Sequence, residues 1–274
     1  MVSKLRGIAA IADRFDAVLS DVWGVVHNGR AAHAAALEAL VQLRQRDKPV
    51  ILVSNTPRPA PPIHRQLEGF GVLIGTHYDA LVTAGDMARL LMSGRYAGAR
   101  AWHLGPTRDL PVFDQVPVTQ VDRPEDAEVV VCTGFFHEDT ETAEDYRPLL
   151  ETLLSRRLPL ICANPDIIVH RGDDVLPCAG AIAVLYEEMG GPVHYCGKPY
   201  PEIYAGALKA ASACLGRAVQ RDRVLTIGDG LETDIRGART NGLPALFIAS
   251  GIHRGEDVSA AAFRPDWVLD ELCW

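Results

Sequence analysis

The feature that most constrains this chain is a set of short, mainly apolar runs that each end in a polar residue. Pro49-Val-Ile-Leu-Val53 stops at Ser54-Asn55, Phe15–Ser20 closes at Asp21, and Arg223–Ile227 runs into Gly228-Asp229. Strands without polar alternation are buried on both faces, which marks a parallel sheet covered by helices. Helical spacing follows the Phe15–Ser20 run over Ala34–Arg46, with Ala36, Leu37, Leu40, Val41 and Leu43 apolar, and a further strand is expected at Leu246–Ala249. Alternating strands and helices make an α/β fold, and such folds bind ligands at the carboxyl ends of their strands. Asp21, Ser54 and Asp229 all fall at that edge.

The middle of the chain carries its own elements. Ala101–Leu104, Glu128–Cys132 and Leu158–Ala163 read as strands, and Glu141–Arg156 and Ala179–Met189 as helices. Pro106, Pro111, Pro117 and Pro124 punctuate the connection between the first two strands. The expected organisation is a core of residues 1–77 and 197–274 interrupted by an inserted α/β domain of residues 78–196. A chain of 274 residues with 48% apolar content has enough material for both cores.

Composition narrows the partners. Lys+Arg 27 against Asp+Glu 35 leaves a net charge of −8, which argues against a nucleic-acid-coating surface. No apolar run approaches the roughly 20 residues that span a bilayer. The Gly7–Ala12 patch is broken by Asp13, Arg14 and Asp16 before it reaches the length of a secretory core. None of the six cysteines forms a CxxC pair, and Cys132 and Cys162 lie in strand-like runs, so free buried thiols in a reducing cytoplasm are expected. His137-Glu138-Asp139 reads as a polar helix start, not a ligand cluster.

The chemistry gathers in Asp21, Ser54, Lys198, Asp229 and Asp234. Carboxylates brought to one sheet edge repel, by about 4 kcal/mol for each pair at 4 Å and an effective dielectric near 20. A hard divalent cation with oxygen ligands relieves this, and Mg²⁺ bound by few carboxylates plus phosphate is the usual arrangement. A carboxylate, a lysine and a metal around one point suit the activation of a phosphoryl group, with an Asp as nucleophile and an aspartyl-phosphate as the covalent intermediate. Metal-free dehalogenation by such an Asp is disfavoured by the Asp229/Asp234 pair, which would face an anionic substrate uncompensated. A P-loop is excluded because Pro192 stands where Gly is required and Pro199 where Ser or Thr is required, and no GxGxxG marks a dinucleotide site.

In these residues the sequence resembles the haloacid dehalogenase superfamily, and within it the NagD-like phosphatases with a C2-type cap. Asp21-Val-Trp-Gly-Val-Val-His-Asn-Gly29 resembles the first motif, DxDGV. Val53-Ser-Asn-Thr-Pro-Arg58 resembles the second, Gly197-Lys-Pro-Tyr-Pro-Glu202 the third and Gly228-Asp-Gly-Leu-Glu-Thr-Asp234 the fourth. Asn164-Pro165-Asp166, followed by Pro177-Cys-Ala-Gly180, is similar to the cap signature. The resemblance implies a doubly wound, Rossmann-like parallel sheet with an inserted C2 cap and a Mg²⁺-dependent phosphatase acting on a small phosphorylated metabolite, a sugar phosphate or nucleotide-like compound. It implies Asp21 as nucleophile and metal ligand, Lys198 as the cation neutralising nucleophile and phosphate, and Asp229 and Asp234 as metal ligands. The backbone carbonyl of Trp23 would complete the metal's protein shell. Ser54 and the amides near Asn55 would hold phosphate oxygens, with Arg58 a candidate cation beside them. A homodimer is the one assembly left open.

One position departs from the pattern. The family places a second Asp, the general acid/base, two residues after the nucleophile, and here that position is Trp23. An indole N–H only donates, so it cannot shuttle a proton at neutral pH, and loss of such a group removes about 10²–10⁴-fold in rate. His27 is a substitute close in sequence, and Trp23 could instead serve as an aromatic platform for substrate. Asn164, Asp166, His170 and Arg171 are candidates for a cap-facing pocket, with a structural turn at Asn-Pro-Asp the competing reading. The alternative function is a phosphate-ligand-binding or regulatory protein with degenerate catalysis.

Overall fold

The computed structural model describes residues 2–171, 174–249, 258 and 261–274, and the side chains of His170 and Arg171 lie outside that description. The chain forms two compact units, one of Met1–Ser54, Pro61–Val82 and Lys198–Trp274, the other of Asn55–Ala60 and Thr83–Gly197.

The first unit is built on a seven-stranded sheet in the order Ser3–Lys4, Trp267–Leu269, Ala245–Ile248, Val224–Gly228, Ala17–Asp21, Val50–Ser54, Ala80–Thr83. From the first of these edges to Val50–Ser54, neighbouring strands run parallel. Ala17–Asp21 and Val224–Gly228 are buried along their whole length, as expected of central strands covered on both faces. Each is followed by a return helix, Ala34–Arg44 after the first and Arg236–Thr240 after the second, and the 15-residue helix Pro201–Leu215 packs against Val50–Ser54. Pro201 sits at that helix's first turn, where a missing N–H is harmless, and Gly216 closes it in the left-handed conformation at φ 66°. The first half of this unit extends past the expected limit at residue 77, because Ala80–Thr83 joins the sheet beside Val50–Ser54.

The second unit has a five-stranded parallel sheet in the order Val193–Tyr195, Leu160–Cys162, Val129–Cys132, Arg100–Leu104, Thr119–Val121. The helices Arg147–Ser155 and Ala179–Glu188 bury Leu150, Leu153, Ile182 and Tyr186 in the core that also holds Leu104, Val130, Cys132 and Cys162. The helix expected at Glu141–Arg156 begins later. A 3₁₀ turn over Ala143–Tyr146, fixed by the reciprocal Thr142–Asp145 capping bonds, precedes it, and Pro148 stands in the first turn of the α-helix proper. His137-Glu138-Asp139 forms a turn and not a helix start, with the His137 amide donating to Glu141 Oε2 at 2.7 Å. An antiparallel hairpin, Ile168–Arg171 with Asp174–Pro177, was not expected from sequence.

This unit also folds Asn164-Pro165-Asp166 into a tight turn. The Asp166 amide donates to Asn164 Oδ1 at 3.0 Å, and the Gly180 amide to the Asp166 carbonyl at 3.1 Å. A methyl group at Gly180 would come within 2.3 Å of the Pro165 carbonyl oxygen and 2.4 Å of that of Asp166. The clashing atoms are backbone and cannot rotate away. Gly180→Ala is therefore expected to destabilise the second unit by about 1–3 kcal/mol; an unchanged melting temperature in differential scanning calorimetry would contradict it.

Candidate active site

Register brings the polar strand ends level. Asp21 lies opposite Val53, so Ser54 follows one residue on; Ser20 lies opposite Ile227, so Asp229 emerges just beyond the same line. Ser20 Oγ donates to the Asp21 carbonyl oxygen at 2.8 Å and holds the end of that strand. Lys198, three residues before the Pro201–Leu215 helix, reaches Asp21 Oδ1 at 2.5 Å and Asp234 Oδ1 at 2.7 Å. Asp234 is only 2% exposed and rides on the wide turn Leu231–Ile235, whose last amide reaches back to the Gly230 carbonyl at 3.0 Å. Its Oδ2 accepts from the Gly230 amide at 3.1 Å, and the Tyr204 hydroxyl donates to its backbone carbonyl at 3.3 Å.

Asp21, Asp229 and Asp234 are all buried, and one oxygen of each lies within 4.8 Å of the other two. Three carboxylates against one ammonium leave −3 + 1 = −2 in a dry site. Burial pushes the Asp21 carboxyl well above the ordinary carboxylate range, and the charges of Asp229 and Asp234 add to that while Lys198 opposes it. Burial also works against the charge on Lys198, but Asp21 and Asp234 outweigh it and hold its ammonium more tightly than in water. Both shifts favour bound protons, the response of a cluster short of positive charge. The donors are hard oxygens, and Gly24, at φ 85°, leaves room for Asp229: a Cβ there would lie 2.0 Å from Asp229 Oδ2. The donor set and this cradle fit a small divalent cation.

Trp23 does not project freely from its loop. Its ring lies edge-on to His27, centroids 5.1 Å apart, and against the α-carbon of Gly29, where an added Cβ would come within 2.5 Å of it. Gly29 keeps φ at 83°, which suits a residue with no side chain. His27 is 3% exposed, sits beside Phe70, and accepts the Gly29 amide on Nδ1 at 2.9 Å. Burial and the nearby His33 lower its pKa to about 4, so it stays neutral at pH 7. The structure places His27 as a brace for the loop, with one ring nitrogen occupied, and not as a proton carrier.

The remaining candidates divide between the units. Ser54 ends its strand in the first unit. Asn55 and Arg58 belong to the second, where the Asn55 side-chain amide donates to Asp166 Oδ1 at 2.8 Å and Arg58 Nε lies 3.9 Å from Asp109. Asn164 and Asp166 form the turn described above; His170 and Arg171 were pocket candidates whose side chains lie outside the described residues. Sequence reasoning missed Tyr204, which ties the helix after Lys198 to Asp234, and whose hydroxyl burial and Asp234 hold firmly protonated. Its place in a helix three residues past the Lys198-Pro-Tyr-Pro segment was the available signal. It also missed Asp109, which burial raises to about 6 against the pull of Arg108 and Arg58.

A parallel α/β sheet beside whose carboxyl edge three buried carboxylates gather, two of them bridged by a lysine, suits an enzyme centre of hydrolase type. Residues 18–119 match the haloacid dehalogenase-like hydrolase family model, and residues 195–274 match a second one, HAD-hydrolase-like. A haloacid dehalogenase-like hydrolase from Brucella suis 1330 superposes with a TM-score of 0.90 at 41% identity, covering 98% of this chain and 99% of that one. The D-glycerol 3-phosphate phosphatase of Mycobacterium tuberculosis is 28% identical over 96% of this chain and 71% of its own length. The magnesium complex of glycerol phosphate phosphatase from the same organism superposes at a TM-score of 0.73 with 28% identity, covering 94% of this chain and 75% of that one. The ribonucleotide monophosphatase NagD of Escherichia coli K12 is 24% identical over 93% of this chain and 96% of its own length. The chain belongs to the haloacid dehalogenase-like hydrolases, among the phosphoric monoester hydrolases of NagD type.

The neutral His27 has a measurable consequence. Its folded pKa, about 4, lies below the ordinary value of 6.5, so the unfolded chain binds the extra proton between those limits. The stabilisation from keeping this ring neutral is complete above pH 6.5 and is lost as pH falls toward 4. The melting-temperature advantage of wild type over His27→Asn is expected to shrink across that window; a constant difference would show that the ring titrates normally.

Proposed function

We propose that the protein is a Mg²⁺-dependent phosphatase of a small phosphorylated metabolite, a sugar phosphate or nucleotide-like compound, acting through an aspartyl-phosphate on Asp21. The observation that carries this reading is the buried contact of Lys198 with both Asp21 and Asp234, beside Asp229. Asp21, Asp229 and Asp234, with the Trp23 carbonyl, would hold the cation. When bound, it supplies the positive charge that lets an anionic phosphoryl group approach three carboxylates. Lys198 orients Asp21, opposes the burial that favours its protonated form, and adds its own charge to the phosphoryl oxygens. Ser54, at the adjacent strand end, is the hydroxyl that donates to one of those oxygens. Free thiols at all six cysteines support a cytoplasmic setting, and among the described residues no helix is long and apolar enough to cross a membrane.

Trp23 sets the substrate range. With no proton delivered to the leaving oxygen, alkyl phosphates turn over slowly and esters of acidic alcohols or acids turn over better. The same residue favours the second reading, a phosphate-ligand-binding or regulatory protein, and one experiment separates the two. In a panel of hexose, nucleoside, aryl and acyl phosphates with Mg²⁺, release is expected to be fastest for the aryl and acyl members and to vanish in Asp21→Asn. Equal rates for hexose and aryl phosphates would refute the leaving-group argument. Retained binding without release from any of them would favour the binder.

The cation has its own test. Gly24→Ala would push Asp229 off its cradle, and Mg²⁺ affinity measured by isothermal calorimetry is expected to fall at least about tenfold, consistent with losing one carboxylate ligand. Unchanged affinity would remove Asp229 from the cation site.

A further inference from the structure

Phosphoryl transfer through Asp21 has two halves, and the side chains around Asp21 serve them unequally. In the first, an Asp21 oxygen forms a bond to phosphorus while the bond from phosphorus to the leaving oxygen breaks. An alkoxide leaving there needs a proton. The carboxylate released from an acyl phosphate does not, because its conjugate acid has a pKa near that of Asp or Glu, about 4, and it departs with its electron pair as a stable anion. In the second half, water attacks phosphorus, the bond to Asp21 breaks, and the carboxylate is restored. That water must give up a proton as it attacks, whichever donor loaded the site, so a low-pKa leaving group helps the first half only.

Each candidate named above to take the water's proton has another engagement. Lys198 is a cation bonded to Asp21 and Asp234. Asp229 and Asp234 are the partners proposed for the metal. Tyr204 donates to the backbone of Asp234. Trp23 carries only an indole donor, and its ring is packed on Gly29 and His27. His27 is buried with Nδ1 taken by the Gly29 amide. We infer that acyl phosphates load Asp21 readily and that the aspartyl-phosphate then persists, so the phosphorylated chain is the main form of the enzyme during turnover. This rests on the phosphatase reading above and extends it: the chain is a slow-releasing phosphoryl acceptor for mixed carboxylic–phosphoric anhydrides.

The test uses the full chain with Mg²⁺ and acetyl phosphate, quenched in acid and weighed intact by mass spectrometry. Wild type is expected to show a burst of acetate of about one equivalent per chain, and more than half the chains with the added mass of one phosphoryl group. Hydroxylamine should remove that mass, and Asp21→Asn should never acquire it. After the donor is removed by desalting, the modification should decay at the rate of steady-state phosphate release. Trp23→Asp or Trp23→Glu, either of which restores a carboxylate, should shorten the lifetime by about 10²–10⁴-fold. Release of phosphate from acetyl phosphate by chains that stay unmodified would overturn this inference and leave the phosphatase reading standing. Failure of every donor, acyl and aryl alike, to release phosphate or mark the chain would overturn both.

Discussion

The interaction on which the site depends is the ammonium of Lys198 held between Asp21 and Asp234. Asp21 and Lys198 are 177 positions apart, and each comes from a different structural device. Asp21 is the last residue of a fully buried strand, and Lys198 precedes a helix that packs on the neighbouring strand. Asp234 comes from a third, a widened turn anchored by the Gly230 amide and the Tyr204 hydroxyl. An unpaired buried charge at any of the three would cost several kcal/mol. The sheet order, the helix placement and the turn geometry are thus held to one another by charge as well as by packing.

Much of the first unit was legible in the sequence because its central strands are covered on both faces. Such strands need not alternate, so Val50–Ser54 stands out as an unbroken apolar run with a polar end, and Val224–Gly228 as a run interrupted only by Thr226 and leading into Asp229. The strand Ala80–Thr83 was missed because four residues at a sheet edge leave no such signature. The start of the Arg147–Ser155 helix was placed early because helical periodicity runs through Thr142, while local hydrogen bonds and Pro148 decide the boundary. In the site, strand ends were readable as polar punctuation. The contacts of Lys198, Asn55 and Arg58 were not, because spacing along a chain carries no information about partners that only the tertiary fold brings together. The resemblance supplied a role for Lys198. It could not indicate that the Asn55 side chain turns to Asp166 or that Arg58 lies near Asp109.

Trp23 is the sharpest disagreement between this chain and the motif it otherwise follows. The residue is built into the structure, because Gly29 is open where the indole lies and His27 meets its ring in an edge-on contact. A loop arranged around an indole binds its chemistry to that shape. A carboxylate at position 23 would restore a proton carrier and forfeit the contacts with Gly29 and His27, so stability and turnover oppose one another there.

The glycines around the acidic cluster have a further effect. Gly24 abuts Asp229, a side chain at Gly228 would strike Asp234, and Gly230 grips Asp234 through its amide. On these sides Asp229 and Asp234 lie directly against main chain, which limits how far they can swing outward and dilute their repulsion. A cage that cannot widen selects by ionic radius. It suits an ion that binds oxygen at about 2.0–2.1 Å in a strict octahedron, and it resists one that needs six to eight ligands at about 2.3–2.6 Å. Discrimination between magnesium and calcium would then be a property of the backbone, fixed by residues that contribute no ligand atom.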